Sequence, residues 1–161
     1  MIEVLKRRLY LLSGRAHPEL AQAIADQLGT ELGKAKLANF ANGEISCRFD
    51  ESIRGSDVFI IQSHSGSVND AIMEQVLMID AAKRASVRSI TAVCPFLSYA
   101  RQDRKSSGRE PIAARLIIDL LAADGANRIM IVDIHSVKTK GFFNCQFDHM
   151  IAMTILIKYL L

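Results

Sequence analysis

The sequence predicts an α/β domain in which helices flank a mostly parallel sheet. Short aliphatic and β-branched runs alternate with longer amphipathic stretches, the order expected when strands are followed by helices. Half of the residues are hydrophobic, whereas tryptophan is absent and aromatic residues make up only 6%. The core should therefore be mostly aliphatic, as in sheets that helices cover.

Hydrophobic periodicity places the elements along the chain. Strands are expected at 7–13, 36–40, 45–49, 57–62, 89–94 and 127–133. Helices are expected from residue 18, over 68–85 and over 112–123, with Pro18 and Pro111 near two of the starts. The expected apolar faces of the first two helices contain Leu20, Ala23, Ile24 and Leu28, then Ile72, Val76, Ile79 and Ala82.

The end of the chain is predicted with fewer signals. Residues 134–148 are expected to be mostly loop, and Asp148 to cap a last helix that runs to Leu161. The apolar run 150–161 is too short to span a bilayer and contains Lys158, so a buried amphipathic helix is expected. The 161 residues suit one domain without an internal boundary or repeat. The apolar end suggests a partial chain, although a domain can also end on a helix.

Composition argues against several classes of function. The net charge of +3 is mild, and the basic residues cluster between Arg101 and Arg109 without interleaved aromatics, which favours a local anionic ligand over nucleic acid. The three cysteines share no metal-like spacing, which fits a reducing cytoplasm. The start of the chain lacks signal-peptide features. We therefore expect a cytoplasmic protein that binds neither nucleic acid nor membranes.

The first candidate site is the sequence Asp133-Ile134-His135 at the end of an apolar strand. If the strand continues through it, Asp133 and His135 project to the same face near the carboxyl edge of the sheet, where open α/β sheets bind ligands. A carboxylate and an imidazole can hold a divalent metal or form a base with its orienting partner. Asp148 could reach back to join them. The alternative is a loop-capping aspartate beside a histidine that satisfies backbone groups.

The second candidate is the polar segment 99–110, which contains Arg101, Arg104, Lys105 and Arg109. Arginine offers a planar fork of donors that matches phosphate oxygens, and lysine adds a mobile point charge. The segment follows a buried strand and could bind a polyphosphate, with Asp103 orienting one arginine. The alternative is an ordinary solvated charged loop.

The third candidate is the hairpin sequence FANGE at 40–44. Asn42-Gly43 is a strong turn dipeptide because both residues tolerate positive φ. Phe40 could stack on a nucleobase, and Asn42 and Glu44 could bind the edge of the base. The alternative is a hairpin tip with no role beyond its turn. The chain contains neither a G-x-x-x-x-G-K-[ST] nor a G-x-G-x-x-G sequence, and His64 is expected in a loop.

Together, these segments resemble the N-terminal half of the ribose-phosphate pyrophosphokinases, also called PRPP synthetases. The motifs that carry the resemblance are GRAHPELA (14–21), FANGEI (40–45), ESIRG (51–55), YARQDRK (99–105), REPIAARL (109–116), VDIH (132–135) and GFF (141–143). The resemblance implies that residues 1–161 form one phosphoribosyltransferase-like α/β domain and that the family's second domain is absent. It also implies Mg²⁺-dependent transfer of the diphosphoryl group of ATP to ribose 5-phosphate, giving PRPP and AMP for nucleotide biosynthesis.

The resemblance also implies roles for individual residues. The hairpin (Phe40, Asn42, Gly43 and Glu44) would bind the adenine of ATP on a neighbouring subunit, so a homo-oligomer or an assembly with a related synthetase subunit is expected. The residues expected to hold ATP in the basic segment are Arg101, Gln102, Asp103, Arg104, Lys105 and Ser106. His135 would be the histidine associated with Mg²⁺, beside Asp133, with Asp148 as a further carboxylate. Ser52 and Arg54 would bind a regulatory phosphate or ADP.

The sequence departs from the family pattern after His135. Asn144 stands where the family usually has an acidic residue, Gln146 lies near a usual proline, and Lys138 and Lys140 add positive charge. The second domain, which would bind ribose 5-phosphate, is missing. These departures leave open a non-catalytic, synthetase-associated regulatory subunit. A phosphoribosyltransferase module that binds PRPP instead of ATP is a third alternative.

Overall fold

The computed structural model describes residues 8–142 and 144–161, apart from the side chains of Val137 and Lys138. Phe143 of the GFF motif and the Lys138 side chain therefore lie outside the described part. The strands are β1 (Leu9–Ser13), β2 (Ala35–Asn39), β3 (Ile45–Phe49), β4 (Asp57–Ile61), β5 (Ser89–Cys94), β6 (Arg128–Val132) and β7 (Gln146–Met150). The helices are α1 (Pro18–Leu28), α2 (Val68–Arg84), α3 (Ala113–Asp124) and α4 (Met153–Leu160), with a short 3₁₀ helix at Val137–Phe142.

The main sheet has five parallel strands in the order β1-β4-β5-β6-β7, which confirms the predicted α/β class. Strands β2 and β3 form a separate antiparallel hairpin, which packs on α2. Because all five strands of the sheet are parallel, their carboxyl ends share one edge. The segments that follow β5 and β6 therefore begin side by side, with Cys94 paired to Ile131.

Alternate strand residues form the core, as the period of a strand requires. These buried residues include Leu12, Ile60, Ala92, Ile129 and Ile131. Helices α2 and α3 add Met78, Ile79, Ile118 and Leu121, all of which are fully buried. The core is aliphatic, as expected, and it forms a rigid base for the loops at the carboxyl edge.

One expectation about the helices is met only in part, and one is wrong. Helix α1 buries Ala21 and Ala25, whereas Leu28 is 58% exposed, so its most buried positions are small residues. Helix α4 buries none of its residues, although a buried helix was expected. Its apolar side chains, such as Ile155 at 72% and Leu160 at 81%, are largely exposed in the described part of the chain. No helix in that part combines the length and the apolar character that crossing a bilayer requires.

The expected loop 134–148 contains a strand that the sequence did not reveal. Strand β7 pairs in parallel with β6 at the edge of the sheet, and Met130 lies opposite Asp148. Its sequence, QFDHM, lacks the continuous apolar character of a central parallel strand. An edge strand with partly exposed side chains tolerates such residues, and its pairing depends on contacts distant in sequence. Asp148 therefore lies inside a strand and does not cap α4.

Gly14, directly after β1, is a position where the fold requires glycine. A Cβ atom there would overlap the carboxamide of Gln62. That buried amide accepts a hydrogen bond from the Ala16 N–H at 3.1 Å and donates to Glu74 at 2.9 Å. The turn between β1 and α1 therefore depends on close approach of the backbone to this side chain.

We predict that Gly14→Ala lowers the free energy of unfolding by about 1–3 kcal/mol, because the added methyl group overpacks a buried site. Urea denaturation followed by circular dichroism measures the change. Gly108→Ala is the matched control, since a Cβ there meets no atom within 4 Å, and it should change stability by less than about 0.5 kcal/mol. Equal stability of the Gly14 variant and the wild type would contradict the packing argument.

Candidate functional site

An open cavity of about 650 Å³ lies at the carboxyl edge of the main sheet. It is lined by the start of α2 (Val68 and Asn69), by the segment 96–102 after β5, and by the segment 132–135 after β6. Arg101 and Gln102 thus share one cavity with Asp133 and His135. Two of the three candidate segments come together here, because the parallel sheet brings the ends of β5 and β6 side by side.

The segment after β6 reaches the cavity by a route that differs from the expected one. Strand β6 ends at Val132, and Asp133 has a left-handed φ of +46°, so strand alternation does not pair Asp133 with His135. Aspartate is among the non-glycine residues that adopt this conformation most readily. Both residues still line the cavity, because a turn rather than an extended strand brings them there.

Strand β7 and the residues after it hold this turn in place. The N–H of Asp133 donates to the Met150 carbonyl at 2.9 Å, and the N–H of Ile134 donates to His149 Nε2 at 3.1 Å. The Asp133 carboxylate accepts from the Ala152 N–H at 3.3 Å, directly before α4. Strand β7, which the sequence did not predict, therefore supports this part of the site.

Asp148 is not brought to the cavity. Its carboxylate pairs with Arg128 at 2.6 Å, and Arg128 also donates to Gln146 at 2.6 Å. These contacts join the first residue of β6 to β7 and lie away from the turn at Asp133. The described residues contain no cluster of three or more His, Cys, Asp or Glu side chains that could hold a metal. Among the described residues that line the cavity, Asp133 supplies the one carboxylate and His135 the one imidazole.

The basic segment after β5 is exposed, and its cations have no acidic partner in the described part of the chain. Within residues 8–142 and 144–161, no ion pair or side-chain hydrogen bond involves Arg101, Arg104, Lys105 or Arg109. Other arginines do pair, for example Arg115 with Asp119 at 3.2 Å. The expected orienting contact from Asp103 to an arginine is not present among these residues. The segment therefore presents uncompensated positive charge.

Glu110 closes the far end of the basic segment. Its carboxylate accepts hydrogen bonds from the N–H groups of Ser106 and Ser107, at 2.7 and 3.0 Å, and from the Ser107 hydroxyl at 2.9 Å. These bonds hold the pKa of Glu110 below its usual value, since they stabilise the ionised carboxylate. The Glu110 carboxylate therefore closes the turn and does not neutralise the neighbouring cations.

The near end of the basic segment rests on buried polar residues that sequence reasoning missed. Ser98 contacts His64, which was expected only as a loop residue but is fully buried and bonded to Gln75. Desolvation lowers the pKa of His64, which keeps the ring neutral. Burial also raises the pKa of the adjacent Cys94 thiol to about 12, so this cysteine is not a reactive thiolate. A usable signal was the polar pair Glu74 and Gln75 inside the otherwise apolar stretch 71–79 of α2.

The FANGE hairpin lies outside the cavity. Residues 40–44 are all exposed, and Phe40 is 59% exposed. The turn spans 40–43, closed by a 2.9 Å bond from the Gly43 N–H to the Phe40 carbonyl, and Gly43 alone of the Asn42-Gly43 pair has positive φ. The Asn42 side chain instead accepts a bond from the Glu44 N–H at 3.2 Å. The hairpin was predicted correctly, whereas its dipeptide does not form the expected two-residue turn.

The remaining candidate residues are on the surface. Ser52 and Arg54 are exposed on either side of the buried Ile53, and neither lines the 650 Å³ cavity. Lys140 and Asn144, two of the departures from the family pattern, are exposed as well. The structure therefore separates the candidates into a cavity at the sheet edge, an exposed hairpin tip and a surface loop.

Comparison with known proteins assigns the family. The family model described as the N-terminal domain of ribose phosphate pyrophosphokinase matches residues 9–125. This chain therefore belongs to the ribose-phosphate pyrophosphokinase family, through that N-terminal domain. The crystal structure of phosphoribosylpyrophosphate synthetase from Mycobacterium smegmatis is similar with a TM-score of 0.93 and 51% identity. The match covers 96% of this chain and 52% of that one.

The curated relatives that match are named ribose-phosphate pyrophosphokinases. The ribose-phosphate pyrophosphokinase of Bifidobacterium longum is 54% identical over 154 residues, which cover 96% of this chain and 45% of the relative. That of Corynebacterium efficiens is 56% identical, with 96% and 47% covered. The chain spans about half the length of the curated relatives it matches.

Proposed function

We propose that this chain forms the ATP- and magnesium-binding side of a ribose-phosphate pyrophosphokinase. The reaction is the transfer of the diphosphoryl group of ATP to the C1 hydroxyl of ribose 5-phosphate, which gives PRPP and AMP for nucleotide biosynthesis. One observation carries the proposal. The cationic segment after β5 and the Asp133–His135 turn after β6 open onto a single cavity. Family membership supports the proposed reaction, and the cavity is the proposed binding site of the triphosphate.

The charge of the cavity suits a polyphosphate. Arg101 lies at the cavity, and Arg104 and Lys105 follow it in the same exposed segment, without acidic partners among the described residues. Arginine forms bidentate, charge-assisted hydrogen bonds with phosphate oxygens. Because diphosphoryl transfer spreads negative charge over several oxygens, fixed cations provide most of the stabilisation that a protein can offer. Gln102, Asp103 and Ser106 belong to the same proposed ATP-binding segment.

The donors at the cavity fit Mg²⁺ held together with a nucleotide. Magnesium usually binds through one or two carboxylates, substrate phosphates and several waters, and it rarely sits in an all-protein cage. Asp133 supplies one carboxylate, while the imidazole of His135 is better suited to a metal-bound water or a phosphate oxygen. Mg²⁺ would neutralise charge on the phosphates when bound. Asp148 is left out of this proposal because its carboxylate is paired with Arg128.

The exposed hairpin supports a role between subunits. Phe40 presents an aromatic surface to solvent, and Asn42 and Glu44 are exposed beside it. The hairpin does not line the cavity of its own chain. We propose that Phe40, Asn42, Gly43 and Glu44 contact the adenine of ATP bound by a neighbouring subunit, which is either a second copy of this chain or a related synthetase.

Ser52 and Arg54, in their surface loop, are proposed to bind a regulatory phosphate or ADP. The proposed location is the cytoplasm.

We predict that Arg101→Ala weakens Mg·ATP binding by about 1.5–3 kcal/mol, the range for a lost hydrogen bond to a charged group. Isothermal titration calorimetry measures the affinity. Arg84→Ala is the control, because Arg84 is an exposed arginine of α2 that pairs with Asp80 and does not line the cavity. Unchanged ATP affinity in the Arg101 variant would mean that the basic segment is merely solvated.

His135→Ala is predicted to change the magnesium dependence of ATP binding more than the affinity at saturating magnesium. The reason is that His135 lies beside the only carboxylate that lines the cavity in the described part of the chain. Magnesium titrations at constant ATP measure the effect. His17→Ala, which changes an exposed histidine before α1, serves as the control. Superimposable titrations of the wild type and the His135 variant would remove His135 from this role.

The whole reaction is tested by complementation. This chain is mixed with the C-terminal half of the Bifidobacterium longum relative, and PRPP formation from ATP and ribose 5-phosphate is measured. The intact relative is the positive control, and each half alone is the negative control. Activity of the mixture supports a catalytic role. Failure under conditions in which the intact relative works, combined with co-purification of this chain with the intact relative, supports the regulatory alternative.

A further inference from the structure

A buried polar network lies beneath the cavity, between the start of the basic segment and α2. His64, Gln75 and Ser98 are at most 2% exposed, although each carries polar side-chain atoms. Burying such groups costs free energy unless they are hydrogen-bonded to one another. Their contacts form one continuous chain from Gln75 through His64 to Ser98. A network of this kind specifies one arrangement of the backbone to which it is attached.

The contacts assign the direction of each hydrogen bond. The Gln75 amide nitrogen donates to the carbonyls of Ile60 and Val93, at 3.2 and 3.4 Å, so its oxygen faces His64. His64 Nε2 lies 2.8 Å from that oxygen and must carry the hydrogen. In the neutral ring, Nδ1 is then an acceptor. It receives the N–H of Ser98 at 3.4 Å and faces the Ser98 hydroxyl at 3.3 Å.

The residue after Ser98 is held in an unfavourable backbone conformation. Tyr99 has φ of +56°, a region that costs free energy for a bulky side chain unless surrounding contacts hold it. On the far side, the Tyr99 hydroxyl donates to Asn69 at 2.6 Å. The Tyr99 carbonyl then accepts the N–H of Gln102 at 2.8 Å, which closes the turn that contains Arg101. Ser98 and Tyr99 are therefore two consecutive attachment points of this turn.

We propose that His64 is a positioning residue for the nucleotide site. Through Nδ1 it holds Ser98, and thereby it keeps the strained turn 99–102 in the conformation that presents Arg101 and Gln102 to the cavity. His64 does not line the cavity and acts only through Ser98. The part that concerns nucleotide affinity rests on the proposed function. The part that concerns the order of the turn is independent of any ligand.

Two substitutions at His64 separate its two contacts. His64→Gln keeps a donor near the Nε2 position, for Gln75, and removes the acceptor for Ser98. His64→Asn keeps an acceptor near the Nδ1 position, for Ser98, and removes the contact with Gln75. Both variants place one carboxamide in the same buried site, so both are expected to lose global stability. The matched pair therefore distinguishes loss of the Ser98 contact from general destabilisation.

The first measurement is amide hydrogen exchange by NMR on the chain without ligand. In His64→Gln, the Gln102 N–H should exchange about tenfold faster relative to the core amide of Ile131, because the turn opens locally. In His64→Asn the ratio should stay within about threefold of the wild type. If His64→Gln does not fold, Ser98→Ala, which deletes the hydroxyl contact, replaces it in the same measurement. A wild-type Gln102 exchange ratio in the folded variant overturns the proposal, as does equal acceleration in the Gln and Asn variants.

The second measurement is Mg·ATP affinity by calorimetry. His64→Gln should weaken binding about tenfold, since displacement of positioned groups costs affinity, while His64→Asn should stay within about threefold of the wild type. Unchanged affinity in His64→Gln, with binding by the wild type intact, overturns the positioning role and leaves the proposed function standing. No binding by the wild type overturns the proposed function, and hydrogen exchange then decides the turn-ordering role by itself.

Discussion

Parallel pairing of β5 with β6 is the constraint on which the candidate site depends. The register that sets Cys94 opposite Ile131 brings the ends of both strands to one edge. The basic segment and the Asp133–His135 turn are far apart in sequence, and this pairing alone makes them neighbours. The aliphatic core beneath the strands supports the arrangement, since its residues are buried and packed against one another. Polar loops can then extend from the edge without weakening the sheet.

The loops at this edge are held by buried polar groups and by backbone contacts. The Ser98 hydroxyl contacts His64, and the Asp133 N–H donates to the Met150 carbonyl. Both attachments occur next to non-glycine residues with positive φ, at Tyr99 and at Asp133 itself. Such conformations persist only where the surroundings hold them, and they are common at functional sites. The cavity is therefore formed by two strained turns, each held by a neighbouring element.

Some cations of the chain form ion pairs, whereas others have no acidic partner among the described residues. Arg128 and Arg115 are paired with aspartates, and Arg15 is paired with the buried Glu74. In contrast, Arg101 and the cations that follow it have no acidic partner among the described residues. Unpaired cations in one exposed segment repel one another, and an anionic ligand relieves that repulsion. The FANGE hairpin and the apolar side chains of α4 are exposed as well, which is typical of surfaces that contact other domains or subunits.

The sequence by itself determined the α/β class, most of the strands and helices, and the resemblance to the family, because periodicity and motifs are local properties of the chain. It also indicated Arg101 and His135 as candidate site residues, since residue types that can bind phosphate or a metal are visible without coordinates. Only the tertiary structure decided that β7 is a strand, that Asp148 pairs with Arg128, and that His64 lies under the basic segment. Each of these depends on a partner distant in the chain, and pairings of that kind form only when the whole sheet assembles.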